Sequence, residues 1–202
     1  VLWKASGIFL AGRRPLLRDT LEDNPSYQRG KTTMNCFSHV EIMLPKSHVD
    51  HDRLAYRGRR SQDLCGALVA LHKEDLGKFT REGSDIRYRV VSSPTLADDA
   101  VVARFGHAVY VPGPEDQPLY RLESSTDSVI WTRLDDIYPE QRLTLLSGNP
   151  LHATCTVPHW PFPASAGLML LNEPDIQELS LVAEPGSRLE SRLDTDHGYH
   201  VI

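Results

Sequence analysis

The chain has 202 residues, 40% of them hydrophobic and 24% charged, a length and balance that can bury a self-sufficient core and exclude the charge-rich, apolar-poor composition of a disordered chain. A formal net charge of −5, from 22 basic and 27 acidic residues, supplies no general attraction to phosphate backbones, so no nucleic-acid partner is expected. Apolar stretches such as Ala166 to Leu171 fall far short of the roughly 20 residues of a membrane-spanning helix, so no membrane partner is expected either.

Ser6 to Ala11 is short and apolar enough for a strand, and Gly12 to Lys31, rich in Arg, Asp, Asn, Pro and Gly, reads as a mobile, solvated loop. Val40, Ile42 and Leu44 alternate with Glu41 and Met43 up to Pro45, which predicts a strand. A polar stretch, Lys46 to Arg60, leads to Ser61, a good N-cap. Beyond it Leu64, Ala67, Leu68 and Leu71 recur at helical spacing, predicting a helix from Ser61 to about Leu76 with that stripe in the core. Ile86, Tyr88 and Val90 alternate with Arg87 and Arg89, which suits a strand with one solvated face. The start signal Ser93-Pro94-Thr95, Asp98 and Asp99 in the first turn, and a stripe of Ala97, Ala100, Val101 and Phe105 predict a second helix over Thr95 to Arg104. His107 to Val111 reads as a third strand, closed by the turn Pro112 to Asp116.

From residue 115 onward, β-leaning runs at Leu119 to Leu122, Val129 to Trp131, Leu143 to Leu146, His152 to Val157, Leu168 to Leu171, Leu179 to Val182 and Tyr199 to Ile202 are separated by Gly, Pro, Asn and Asp. The spacing predicts an antiparallel meander. The expected class is α/β (α+β), with a mixed central sheet and two main helices over 1–114 and a β-rich extension or subdomain over 115–202. Cys36, Cys65 and Cys155, an odd number without a CxxC pair, are expected as free thiols of a reducing, cytoplasmic compartment. Residue 1 is Val, from which we expect a processed chain or part of a longer protein.

Over residues 40–112, the segment Tyr56-Arg57-Gly58-Arg59-Arg60-Ser61 at a helix start, followed by Ala100-Val101-Val102-Ala103-Arg104-Phe105-Gly106-His107 leading into a strand, resembles the central part of the GCN5-related N-acetyltransferase family. The resemblance implies acetyl-CoA or another acyl-CoA as cofactor. Its pyrophosphate would lie on the backbone N–H groups of Arg57, Gly58, Arg59, Arg60 and Ser61, and its pantetheine arm in a cleft where the strands before Ser61 and before Thr95 splay apart. It also implies Glu41 as general base and a small-molecule or protein amine as acceptor. Two departures stand out. Arg60 and Gln62 occupy positions that the family keeps as Gly or Ala, and Val102 stands where a tyrosine often protonates the leaving thiolate. Acyltransferase activity is accordingly expected to be weak or absent.

Two further constellations compete. His48-Val49-Asp50 with a distant His107 has the spacing of an iron(II) facial triad, with Arg121 available for a 2-oxoglutarate carboxylate, as in some 2-oxoglutarate-dependent dioxygenases. His152, Cys155 and His159 lie within eight residues, but on a strand His152 and Cys155 face opposite sides, so packing is the expected role. The alternative to an enzyme is a non-catalytic interaction or assembly subunit. Its partner would be a protein meeting the β-rich region at Trp131 and His159-Trp160-Pro161-Phe162.

Overall fold

Alternating side chains at Val40, Ile42 and Leu44 direct one face of β4 (His39–Pro45) against a helix, while Glu41 and Met43 lie on the other face. The strand is central and five of its seven residues are buried, as expected for a strand covered on both sides. These features come from a computed structural model that describes residues 8–10, 28–29, 32–33, 38–75, 85–176, 178–183, 189–190, 192–194 and 199–202. The class is mixed α+β. Most of the expected loop Gly12 to Lys31, Cys36 and the expected helix end at Leu76 lie outside the described residues.

The first sheet has the order β1 (Ile8–Leu10), β6 (Val102–Gly106), β4, β5 (Arg87–Ser93). β4 and β5 run parallel in unbroken register from His39↔Arg87 to Pro45↔Ser93, and β6 lies antiparallel to β4 and to β1. Parallel neighbours need a long crossover, supplied here by α1 (Lys46–Tyr56) and α2 (Arg59–Asp75). Pro45 is the N-cap of α1. Arg57 (φ 54°) and Gly58 (φ 78°) turn the chain in left-handed conformation between the two helices, with the Gly58 N–H donating to Asp52 O at 3.1 Å.

Three sequence expectations are corrected here. Lys46 to Arg60 is almost entirely helical rather than a polar connection. Its only buried residue is Asp52, so no apolar stripe announces it. Thr95 to Arg104 is not a helix. Residues 94–100 form turns, with Ala100 N donating to Ala97 O at 2.9 Å, and the chain then enters β6. Val102-Ala103-Arg104-Phe105 alternates with period two, placing Ala103 and Phe105 in the helix-side core and Arg104 opposite them. His107 to Val111 is irregular rather than a strand, with Ala108, Val109 and Val111 buried, and is tied by Val109 N to Gly106 O (3.1 Å) and by Val111 N to His39 Nδ1 (2.9 Å).

The helical stripe is rotated from the expected one. Cys65, Leu68 and Val69 of α2 pack on Val40, Ile42, Tyr88, Ala103 and Phe105, and His72 is buried one turn further on, bonding Tyr88 Oη through Nδ1 at 2.8 Å. Leu64 and Leu71 lie on the exposed side.

In the second half, β7 (Tyr120–Ser124) and β8 (Thr132–Ile137) form a hairpin with an irregularity between Leu122 and Glu123. A second sheet has the order β10 (Cys155–Thr156), β9 (Leu143–Ser147), β11 (Leu168–Glu173), β12 (Glu178–Ala183). It is antiparallel except for the parallel pair β10 and β9. β13 (Arg192–Asp194) pairs with β14 (Tyr199–Val201), and β2 (Gln28–Arg29) with β3 (Thr32–Thr33). The expected run Val129 to Trp131 is not a strand and sits at the β7–β8 tip. The boundary near residue 114 is crossed by bonds: Asp116 accepts from Arg87 and Tyr110 (both 2.7 Å), and Arg104 donates to the carbonyls of Pro150 (3.1 Å) and Ala153.

Candidate functional site

Cross-strand register places three charged residues in one row. Glu41 on β4 is the direct partner of Arg89 on β5 and of Arg104 on β6. All three side chains leave the face opposite the helices, so the carboxylate sits between two guanidinium groups. Glu41 Oε1 accepts from Arg89 Nε at 3.1 Å and from its Nη2, and Oε2 accepts from Arg104 Nη2. Glu41 is 1% exposed. A general base must present a free oxygen to the proton that it removes, and here both oxygens are engaged.

Beside this row lies a cavity of about 10 Å³, lined by Glu41, Arg89, Tyr110, Asp135, Asp136 and Tyr138 among others. That is space for about one water. Burial raises the pKa of Asp135, whose Oδ1 accepts from the Asp136 N–H at 2.9 Å. Next to the cavity, Tyr110 stacks on His39 with ring centroids 4.9 Å apart and donates to Asp116. Burial, then Asp116, pushes Tyr110 up to about 12, while burial and the Arg87 charge bring His39 down to about 4. Asp116 also accepts from the Gly113 N–H at 2.7 Å, which fixes the turn at Pro112 to Asp116. This network locks chain segments together and leaves little room for a substrate.

The residues expected to hold a pyrophosphate lie at the junction of the two helices. Arg57 and Gly58 form the turn, and Arg59, Arg60 and Ser61 open α2. The anion seat of this helix is already filled from within the chain. Asp52, reaching across from α1, accepts from the Arg60 N–H (3.1 Å), the Ser61 N–H (2.9 Å) and Ser61 Oγ (2.6 Å). Those bonds, led by the Ser61 hydroxyl, lower the pKa of Asp52. A carboxylate at this position is favoured by the helix dipole for the reason that a phosphate would be. The Arg59 guanidinium stands 4.0 Å from Asp63, and the Arg60 guanidinium lies over the Tyr56 ring, 3.7 Å from its centroid.

A larger cleft of about 390 Å³ opens beside this junction, between α1 and the first turns of α2. Leu44, Val49 and Leu64 supply its apolar lining, and Ser47, His48, His51, Asp52, Arg60 and Ser61 its polar lining. Residues singled out for two unrelated chemistries, His48 for iron and Arg60 and Ser61 for phosphate, therefore meet in one concavity. His107 is not among the lining residues. It is exposed in the turn after β6, and Asp50 is paired with Lys46. Among the described residues no three His, Cys, Asp or Glu side chains come together as a metal site. Arg121 lies on β7, opposite Asp136 in register. Cys155 is buried in the second sheet, while His152 and His159 are exposed.

Sequence reasoning missed Asp52, Arg89 and Arg104. The available signal for Arg89 and Arg104 was their place in period-two runs flanking the strand that carries Glu41. Pairing them required the strand order, which no local pattern contains. No family model, no curated protein and no solved structure matches the chain.

Proposed function

We propose that the chain is a non-catalytic binding and assembly module, without acyl transfer of its own. The observation that carries this reading is Asp52 on the first amides of α2, the groups on which an acyl-CoA pyrophosphate would depend. Three others support it. Glu41 has no free oxygen, β4 and β5 pair without the splay that a pantetheine arm needs, and Val102 has no proton to give a leaving thiolate.

The surface that this reading assigns to a protein partner is the β7–β8 tip. Asp127 Oδ1 accepts from the N–H groups of both Val129 and Ile130 at 2.9 Å, and Ser128 holds φ 59°, a conformation that costs a β-carbon residue energy. The loop so fixed presents Val129 (79% exposed) and Ile130 (71% exposed) beside Trp131, which lies against Tyr199 with ring centroids 5.9 Å apart. Adjacent exposed branched apolar residues on an ordered tip suit an apolar pocket on another protein. Trp160 and Phe162, by contrast, are partly buried against one another. No described helix is long and apolar enough to cross a membrane, and the free thiols of Cys65 and Cys155 fit the expected cytoplasmic compartment.

Calorimetry with CoA and acetyl-CoA at millimolar concentration, paired with an acetyl-transfer assay on amine acceptors, tests the proposal. No saturable binding and no turnover are expected. Turnover, or CoA binding abolished by combined Arg57→Ala, Arg59→Ala and Arg60→Ala substitution, would restore the acyltransferase reading.

A further inference from the structure

We infer that the cleft between α1 and α2 binds a small aliphatic carboxylate, with Arg60 taking the charge and Leu44, Val49 and Leu64 taking the chain. Its volume of about 390 Å³ lies within the range of about 300–1,000 Å³ typical of small-ligand sites. The lining combines apolar side chains, Leu44, Val49 and Leu64, with a cationic one, Arg60, the two kinds of group that such a ligand requires. Arg60 is suited to the charged end. Its Cζ lies over the Tyr56 ring, 3.7 Å from the centroid, and among the described residues no carboxylate lies within ion-pair distance of its guanidinium. A planar fork matches a carboxylate bidentately.

The other polar groups of the cleft narrow the class. Asp52 brings a negative charge that attracts Arg60, but both of its oxygens are engaged at the α2 terminus, and none of those bonds uses the Arg60 guanidinium. The same engagement removes the Arg60 and Ser61 amides as phosphate donors. A doubly charged phosphate would meet one guanidinium beside the Asp52 carboxylate and be repelled by that carboxylate about twice as strongly as a singly charged ligand. Ser47 Oγ is committed to Asp98 at 2.8 Å. His48 and His51 also line the cleft, with ring nitrogens able to take part in hydrogen bonds.

Calorimetry of the full chain with hexanoate, acetate, hexylamine and inorganic phosphate tests the site. Hexanoate is expected to bind saturably and at least tenfold more tightly than acetate or hexylamine. Arg60→Gln should weaken hexanoate at least tenfold, and Arg60→Lys, which keeps the charge and loses the fork, by a smaller factor. Equal binding of hexanoate and hexylamine, tighter binding of phosphate, an unaltered affinity in Arg60→Gln with its unfolding midpoint preserved, or no saturable hexanoate binding would each overturn the inference. Acetyl-CoA turnover would overturn the proposed function and leave this site standing, so the two can fail separately.

Discussion

In the sheet around β4 the fully buried polar groups of the central row carry formal charge, whereas in the sheet around β9 and β11 they are neutral. Glu41 and Arg104 are both almost inaccessible, and Arg89 completes their row. In the second sheet, Asn172 donates to the carbonyls of Tyr138 (3.0 Å) and Gln141 (3.1 Å), Gln141 donates to Thr144 Oγ1 (2.8 Å), and Thr154 Oγ1 accepts from the Leu145 N–H (2.8 Å). The two solutions differ in what they enforce. A one-residue slip of β6 along β4 would part Arg104 from Glu41 and bring a charged side chain to the face of Val40, Ile42 and Phe105. Amides and hydroxyls tolerate such rearrangement at lower cost, because no charge is left without its counterion. The charged row thus serves register and specificity more than net stability.

The largest expected effect comes from breaking that row. Glu41→Ala strands a buried guanidinium and is expected to cost about 3–5 kcal/mol in urea unfolding. Asn172→Ala leaves two carbonyls with fewer donors and is expected to cost about 1–3 kcal/mol. A Glu41→Ala cost no larger than that of Asn172→Ala would break the contrast between the sheets.

A second measurement sharpens the contrast through pH. His39 and His72 both belong to the first half, and burial, for His39 aided by Arg87, brings each from 6.5 to about 4. Their rings are neutral in the folded chain and take up protons on unfolding at higher pH. The stability tied to that neutrality is complete above about pH 6.5, falls as pH drops towards about 4, and changes no further once the folded rings protonate. Asp116, held to about 2 by the Gly113 amide, Tyr110 and Arg87, loses its contribution as pH falls from 3.8 towards about 2, so the two windows separate. Urea midpoints taken from pH 7 to 4.5 should fall, and His39→Asn should flatten part of that fall. A level profile would show that these rings are not held neutral.

Strands whose apolar residues alternate were legible in the sequence: β4, β5, β9, β11 and β12 lie close to where Val40 to Leu44, Ile86 to Val91, Leu143 to Leu146, Leu168 to Leu171 and Leu179 to Val182 predict them. α1 was not legible, because its one buried residue is an aspartate and hydrophobic periodicity has nothing to register. β6 was misread because Ala100, Val101 and Phe105 satisfy helical spacing by chance, while the alternation that decides the matter spans only five residues. β8 carries Asp135 and Asp136, poor strand formers whose placement depends on Arg133 and on burial under the first sheet. The role of Glu41 was hidden for a different reason. A carboxylate on a strand looks the same in sequence whether water or two arginines face it, and only the strand order tells them apart.

The smallest expected effect concerns α2, where sequence and structure disagree about a phase. The spacing of Leu64, Leu68 and Leu71 satisfies a helical stripe as well as Cys65, Leu68, Val69 and His72 do, and hydrophobicity favours the leucines. Packing takes the second set, because Tyr88 offers its hydroxyl to His72 and the small Cys65 lets the helix approach Val40 and Ile42. Leu71 is left 44% exposed, so Leu71→Gln should change stability by no more than about 0.5 kcal/mol. Leu68, partly buried against the core, should lose about 1–2 kcal/mol on conversion to Ala, less than the 2–5 kcal/mol of a fully buried leucine. If Leu71→Gln proved the costlier of the two, the helix would be rotated towards the phase that the leucines prescribe, and the His72 to Tyr88 bond could not stand as its anchor.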